Sequence, residues 1–141
     1  MKYLLSCILL SIFSLVSYAE TVDCAKYRKE NYETIRKVNE FTDSAVGFAG
    51  TKPEHFVVYE CVLEASNSIH ILKELVNSRN LPAQLYGLMG LYVTSDKEYA
   101  KYKRKFESSS SIVNTTYGCL GSEDKVSEVV KYIESLPRKQ K

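Results

Sequence analysis

Leu81-Pro82-Ala83-Gln84-Leu85-Tyr86-Gly87-Leu88-Met89-Gly90-Leu91-Tyr92-Val93-Thr94 carries apolar side chains on nearly every side of a helical wheel. Leu85, Leu88 and Tyr92 fall on one face and Tyr86, Met89 and Val93 on another. A helix that is apolar all round belongs in the middle of a larger assembly of helices. Pro82 suits the first turn, where its missing N–H removes no helical bond. Gly87 and Gly90 each cost about 1 kcal/mol relative to alanine inside a helix. Two such residues predict a neighbouring helix that approaches closely. The sharper alternative is a ligand in contact with bare backbone, held by Tyr86, Gly87 and Gly90.

Helical periodicity continues on both sides of this segment. Upstream, Ile69, Ile71, Leu72, Leu75 and Val76 predict a helix ending near Arg79 and Asn80. Before it, Thr51-Lys52-Pro53-Glu54 has the form of a capping box and opens a helix running to about Ala65. Tyr32, Ile35, Val38, Phe41 and Ala45 recur at steps of three and four, which predicts one long helix over 23–46 that ends at Gly47-Phe48-Ala49-Gly50. Downstream, Ser95 and Glu98 form a second capping box for a helix bearing Tyr99, Tyr102 and Phe106. Ile112 to Tyr117 is β-branched and aromatic and reads as extended, a short strand or ordered loop with no evident partner strand. Gly118 to Gly121 then turns the chain. Ser122 is placed to cap a last helix carrying Val126, Val129, Val130, Ile133 and Leu136, and Pro137 ends it before a basic tail over 137–141. The expectation is an all-α domain over 20–141, a small bundle or short stack of about five or six antiparallel hairpin helices. The alternation of helices and the Pro82-Ala83 start resemble helical-repeat proteins, but no period of fixed length is present and no function follows.

The chain opens with Lys2, runs through an apolar stretch from Leu4 to Val16 and reaches Ser17-Tyr18-Ala19. That is the pattern of a signal peptide over 1–19, cleaved after Ala19. The apolar stretch is shorter than the ~20 residues a spanning helix needs, so no transmembrane segment is expected after processing. Roughly 120 residues remain, enough for one domain. The 19 Lys and Arg residues nearly balance the 17 Asp and Glu, a net +2, and such a charge does not call for nucleic acid.

Cys24, Cys61 and Cys119 lie beyond the signal, and an oxidising compartment favours one disulfide. Their spacing does not suit zinc, which prefers short paired intervals. On an unbroken helix over 23–46, Cys24 would lie roughly 20 Å from Cys61, whereas a disulfide needs Cα atoms within about 7 Å. The expected bridge is therefore Cys61 to Cys119 with Cys24 free, the alternative being Cys24 to Cys119.

Acid–base chemistry has few candidates. The histidines are His55 and His70, and either could serve as base to a Cys61 thiolate, but no cysteine-hydrolase signature surrounds it. Serine-hydrolase, metalloprotease and phosphate-loop motifs are missing from the sequence. No catalytic residue, metal or cofactor is assigned. Lys97, Lys101, Lys103, Arg104 and Lys105 form the densest positive patch. It is either the wet face of an amphipathic helix or a docking surface for an anionic partner. The expectation is an exported, non-enzymatic binding protein of the bacterial cell envelope, periplasmic or secreted, acting as an inhibitor or immunity protein on another envelope or secreted protein. The alternatives are a carrier or sensor of a small apolar ligand and a thiol-dependent enzyme.

Overall fold

A computed structural model describes residues 22–30 and 32–138. The expected signal peptide over 1–19 and the last residues of the basic tail lie outside them. The element order is α1 (Cys24–Lys29), α2 (Glu33–Arg36), β1 (Phe41–Val46), α3 (Glu54–Glu64), α4 (Ser68–Val76), α5 (Leu81–Thr94), α6 (Asp96–Glu107), β2 (Ile112–Gly118), β3 (Leu120–Lys125) and α7 (Val126–Ser135).

Helix α5 is the axis of the molecule. Leu85, Tyr86, Leu88 and Leu91 are fully enclosed, and burying each such side chain contributes roughly 1.5–3 kcal/mol. Asn80 sets its start: the side-chain oxygen accepts the Ala83 amide at 2.9 Å, while the side-chain nitrogen donates to the Val38 carbonyl at 2.9 Å. Helix α4 lies against the glycine side of α5. A Cβ on Gly87 would stand 2.6 Å from the Val76 nitrogen and 2.7 Å from the Leu72 carbonyl, and one on Gly90 would run into the Leu72 side chain. The two backbones can be this close only because both positions lack a side chain.

The domain is not all-α. Three strands form a mixed sheet in the order β1-β2-β3, with β1 parallel to β2 and β2 antiparallel to β3. Phe41 opposes Thr115 and Thr42 opposes Thr116 across the parallel pair, and Val113 opposes Asp124 across the hairpin. Phe41, Val113 and Thr115 are buried, and Tyr117 meets Tyr132 of α7 with ring centroids 4.5 Å apart. This face packs on the helices, while Ile112 and Asn114 point to solvent. The helical-bundle expectation fails in two places. The stripe read as one helix over 23–46 is interrupted at Tyr32, whose φ of 56° is left-handed and whose amide bonds back to the Tyr27 carbonyl at 3.2 Å, a bond that closes helix ends. The chain then re-enters helix only briefly before becoming β1. Residues 122–125, expected as a helix start, complete β3 instead. The Ser122 hydroxyl meets that of Thr115 at 2.9 Å, and the Thr115 hydroxyl donates to Asp124 at 2.5 Å, so a buried polar group is satisfied within the hairpin.

The same break corrects the disulfide. Cys24 pairs with Cys61, Cα atoms 5.4 Å apart, and Cys119 is free and exposed. With 23–46 no longer one straight rod, short α1 folds back along α3 and brings Cys24 to it. Cys119 is carried away on the tip of the β2–β3 hairpin. Among the described residues no helix is long and apolar enough to cross a membrane.

Candidate functional site

Two turns meet at one end of the sheet. Val46 and Thr51 exchange backbone hydrogen bonds at 2.9 Å in each direction, and the Gly50 amide donates to the Gly47 carbonyl at 3.0 Å. Gly47 and Gly50 both have positive φ, a conformation that glycine adopts without steric cost. The closed turn leaves Phe48 with its whole side chain in solvent, at 103% relative exposure. The Gly47 amide then donates to the Gly118 carbonyl at 2.9 Å, fastening this turn to the β2–β3 turn. There Gly118, φ 56°, stands at the first central position of a two-residue connection, where type II′ hairpins want glycine. Beside it are exposed Cys119 and Leu120, the latter 76% exposed. The result is an aromatic and a leucine displayed on two mutually braced turns. Sequence reasoning treated Gly47–Gly50 only as a helix terminator and missed this display; paired glycines flanking an aromatic were the available signal.

Inside the same end of the molecule, Thr42 joins β1 to two helices. Its hydroxyl lies 2.9 Å from His55 Nε2 and 3.0 Å from the Tyr86 hydroxyl. Tyr86 is ringed by Phe41, Tyr59 and His55, with centroids 4.9, 5.6 and 5.6 Å away. Burial holds His55 below its ordinary value of 6.5, against the pull of Glu40 and Glu54. Burial also pushes the Tyr86 phenol up to about 12, against its bonds to Thr42. Both groups are therefore neutral near pH 7, and the arrangement holds a strand in place without a charged acid or base.

The other sequence-derived candidates are dispersed. Tyr86, Gly87 and Gly90 share α5, but the space at the glycines is filled by Leu72 and Val76. On α6, Lys101 pairs with Glu98 at 2.6 Å, and Lys103 pairs with Glu107 and Glu134 at 2.9 and 2.5 Å. Lys105 lies over the Phe106 ring at 5.3 Å. Lys97 and Arg104 are exposed and enter no ion pair among the described residues. The Cys61 sulfur is bonded to Cys24 and supplies no thiolate. Exposed His70 faces Glu74 at 3.4 Å. Among the described residues no group of His, Cys, Asp and Glu converges to hold a metal ion.

An open groove of about 690 Å³ runs beside the disulfide, walled by Phe56 and Leu63 of α3, Met89 and Val93 of α5, and Leu136. Lys52 stands at its rim with its ammonium 2.7 and 2.8 Å from the two carboxylate oxygens of Glu60. No protein-family model, curated protein or solved structure matches the chain.

Proposed function

We propose that this chain is an exported, non-enzymatic binding protein of the bacterial cell envelope, an inhibitor or immunity protein that seats Phe48 in a concave site on a partner protein. The observation that supports it is the wholly exposed Phe48 on a hydrogen-bonded turn braced by Gly118. A phenylalanine ring exposed to water gains only when something covers it, and aromatic side chains bury roughly 150–250 Å² each. A turn already closed by its own backbone bonds loses little freedom on docking, which favours tight binding. Leu120 and Cys119 extend the contact. Export to the periplasm or beyond, with cleavage after Ala19, fits the apolar leader and an intramolecular disulfide.

The test is affinity capture from envelope and secreted fractions of the source cells, with the purified protein as bait, followed by titration of the recovered partner. The expected result is one stoichiometric protein, bound at least about tenfold more weakly by Phe48→Ala, since central aromatic anchors carry most interface energy. Undiminished binding by Phe48→Ala would sink the reading. Loss instead in Lys97→Glu combined with Arg104→Glu would move the contact to α6.

A further inference from the structure

The chain that carries Phe48 is closed at its base by one side-chain bond. The Thr42 hydroxyl and His55 Nε2 stand 2.9 Å apart across 13 residues of chain. Between them Val46 and Thr51 form a second rung, and Phe48 is at the tip. The base of this loop is also where it meets the central helix. The Thr42 amide donates to the Tyr86 hydroxyl at 2.9 Å, and the Thr42 and Tyr86 hydroxyls are 3.0 Å apart. Thr42 and Tyr86 are both buried, so each hydrogen at this junction needs an acceptor within the protein.

Those hydrogens run best in one order. A phenol has one proton to donate, and Tyr86 can direct it to the Thr42 hydroxyl at 3.0 Å or to the Thr42 carbonyl at 3.4 Å. The shorter bond is the stronger. Having accepted it, the Thr42 hydroxyl gives its own proton to His55, whose Nε2 must then carry none. The chain passes from the Thr42 amide to Tyr86, to the Thr42 hydroxyl and on to His55, every step between 2.9 and 3.0 Å. It puts the hydrogen of the neutral ring on Nδ1. A protonated ring donates from both nitrogens. Nε2 then donates to the Thr42 hydroxyl, which turns its proton toward Tyr86, and the phenol is left with the carbonyl at 3.4 Å. The bond at the base of the loop survives, and the one that weakens is the bond to α5.

The titratable groups facing the ring come from three places. Glu54 precedes it on α3 and Glu40 lies just before β1, both favouring the charged form, and Tyr86 of α5 meets it edge-on with ring centroids 5.6 Å apart. Burial outweighs the two carboxylates, so the ring is neutral at pH 7 and takes its charge in acid. Tyr86 keeps its proton across the same range. We infer that His55 is an acid-operated latch on the Phe48 loop: the neutral ring holds the loop to α5 through Thr42 and Tyr86, and protonation reverses the hydrogen-bond chain and loosens the α5 end while the loop keeps its base. Regulation of docking by this latch rests on the reading of Phe48 as a docking residue. The latch itself is measured on the free protein, so either can fail alone.

Long-range proton–nitrogen NMR of the purified protein at neutral pH reports the His55 tautomer directly. Nε2 should show the shift of an unprotonated nitrogen and Nδ1 that of a protonated one; the reverse assignment, or rapid averaging of the two, would overturn the latch. Amide exchange then follows the switch, expressed as protection factors so that the intrinsic pH dependence of exchange is removed. As pH falls through the His55 titration, the Thr42 amide should lose about threefold or more in protection relative to Leu88 of α5, the size of part of one neutral hydrogen bond. Val46 and Thr51, which bond to each other, should track Leu88. The excess loss at Thr42 should vanish in His55→Gln. No excess at Thr42, an equal excess at Val46 and Thr51, or the same excess in His55→Gln would each overturn the proposal. Phe48→Ala should leave the tautomer and the Thr42 response unchanged, whatever it does to docking.

Discussion

The hydroxyl of Tyr86 accepts the backbone amide of Thr42 at 2.9 Å and lies 3.0 Å from that residue's side-chain hydroxyl. One phenol on the central helix thus satisfies an edge-strand amide and a buried threonine at once. Tyr86→Phe keeps the ring against Phe41 but strands the Thr42 amide in a site that is 1% exposed. The expected loss is about 1–3 kcal/mol of unfolding free energy, read from urea melts. A change below about 0.5 kcal/mol would show that water replaces the phenol without cost.

The Cys24–Cys61 bridge closes a span of 37 residues, and loop-closure entropy for that length corresponds to about 4 kcal/mol. Cys24→Ser should lower stability by about 2–4 kcal/mol. Cys119→Ser, at an exposed hairpin tip, should leave stability within about 0.5 kcal/mol of the parent. Non-reducing peptide mapping should recover Cys24 crosslinked to Cys61 and alkylate Cys119 alone.

Alanine at the two helical glycines should behave differently. At Gly87 the new methyl meets backbone atoms of Val76 and Leu72, which move only if α4 moves, so overpacking of about 1–3 kcal/mol is expected. At Gly90 the obstruction is the Leu72 side chain, which can change rotamer, and alanine's better helix propensity returns about 1 kcal/mol. Thermal unfolding of the two variants should rank Gly87→Ala as clearly the less stable.

Acid should loosen the sheet through His55. Its pKa is below 6.5 in the folded protein because burial disfavours the charged ring. The unfolded chain therefore binds the proton more readily, and the contribution of His55, full above pH 6.5, is lost as pH falls through the folded value. Urea midpoints should decline from pH 7 to 5. His55→Gln, which titrates nowhere in that interval, should show a flatter profile, and an equally steep one would assign the decline to other groups.

Elements whose reasons are local could be read from the sequence. The apolar wheel of 81–94, the Ser95 cap, whose side chain accepts the Glu98 amide at 3.4 Å, and the stripe of α7 each depend on neighbours within a turn or two. The strands depend on distant ones. Phe41 and Ala45 fit a helical stripe, and only pairing with Thr115 and Thr116, far along the chain, makes 41–46 extended. β3 reads Leu-Gly-Ser-Glu-Asp-Lys, poor in β-formers, because it is an edge strand exposed along most of its length, where charge discourages stray pairing. The site residues were hidden for a related reason. Phe48 sits in a glycine-flanked run that reads as a helix terminator, and its exposure follows only once Val46 and Thr51 pair and that run closes as a turn.

The strand order also fixes how the sheet can assemble. β2 and β3 are joined by a tight turn between the paired residues Tyr117 and Leu120 and can zip within microseconds, as local hairpins do. β1 pairs with β2 only after α3, α4, α5 and α6 have closed the long loop between them, and such non-local pairings form slowly. Since Tyr86 of α5 holds the Thr42 amide, docking of that helix and capture of the strand are one event. Refolding should therefore show a fast hairpin phase and a slower one in which the central helix, rather than the partner strand, recruits β1.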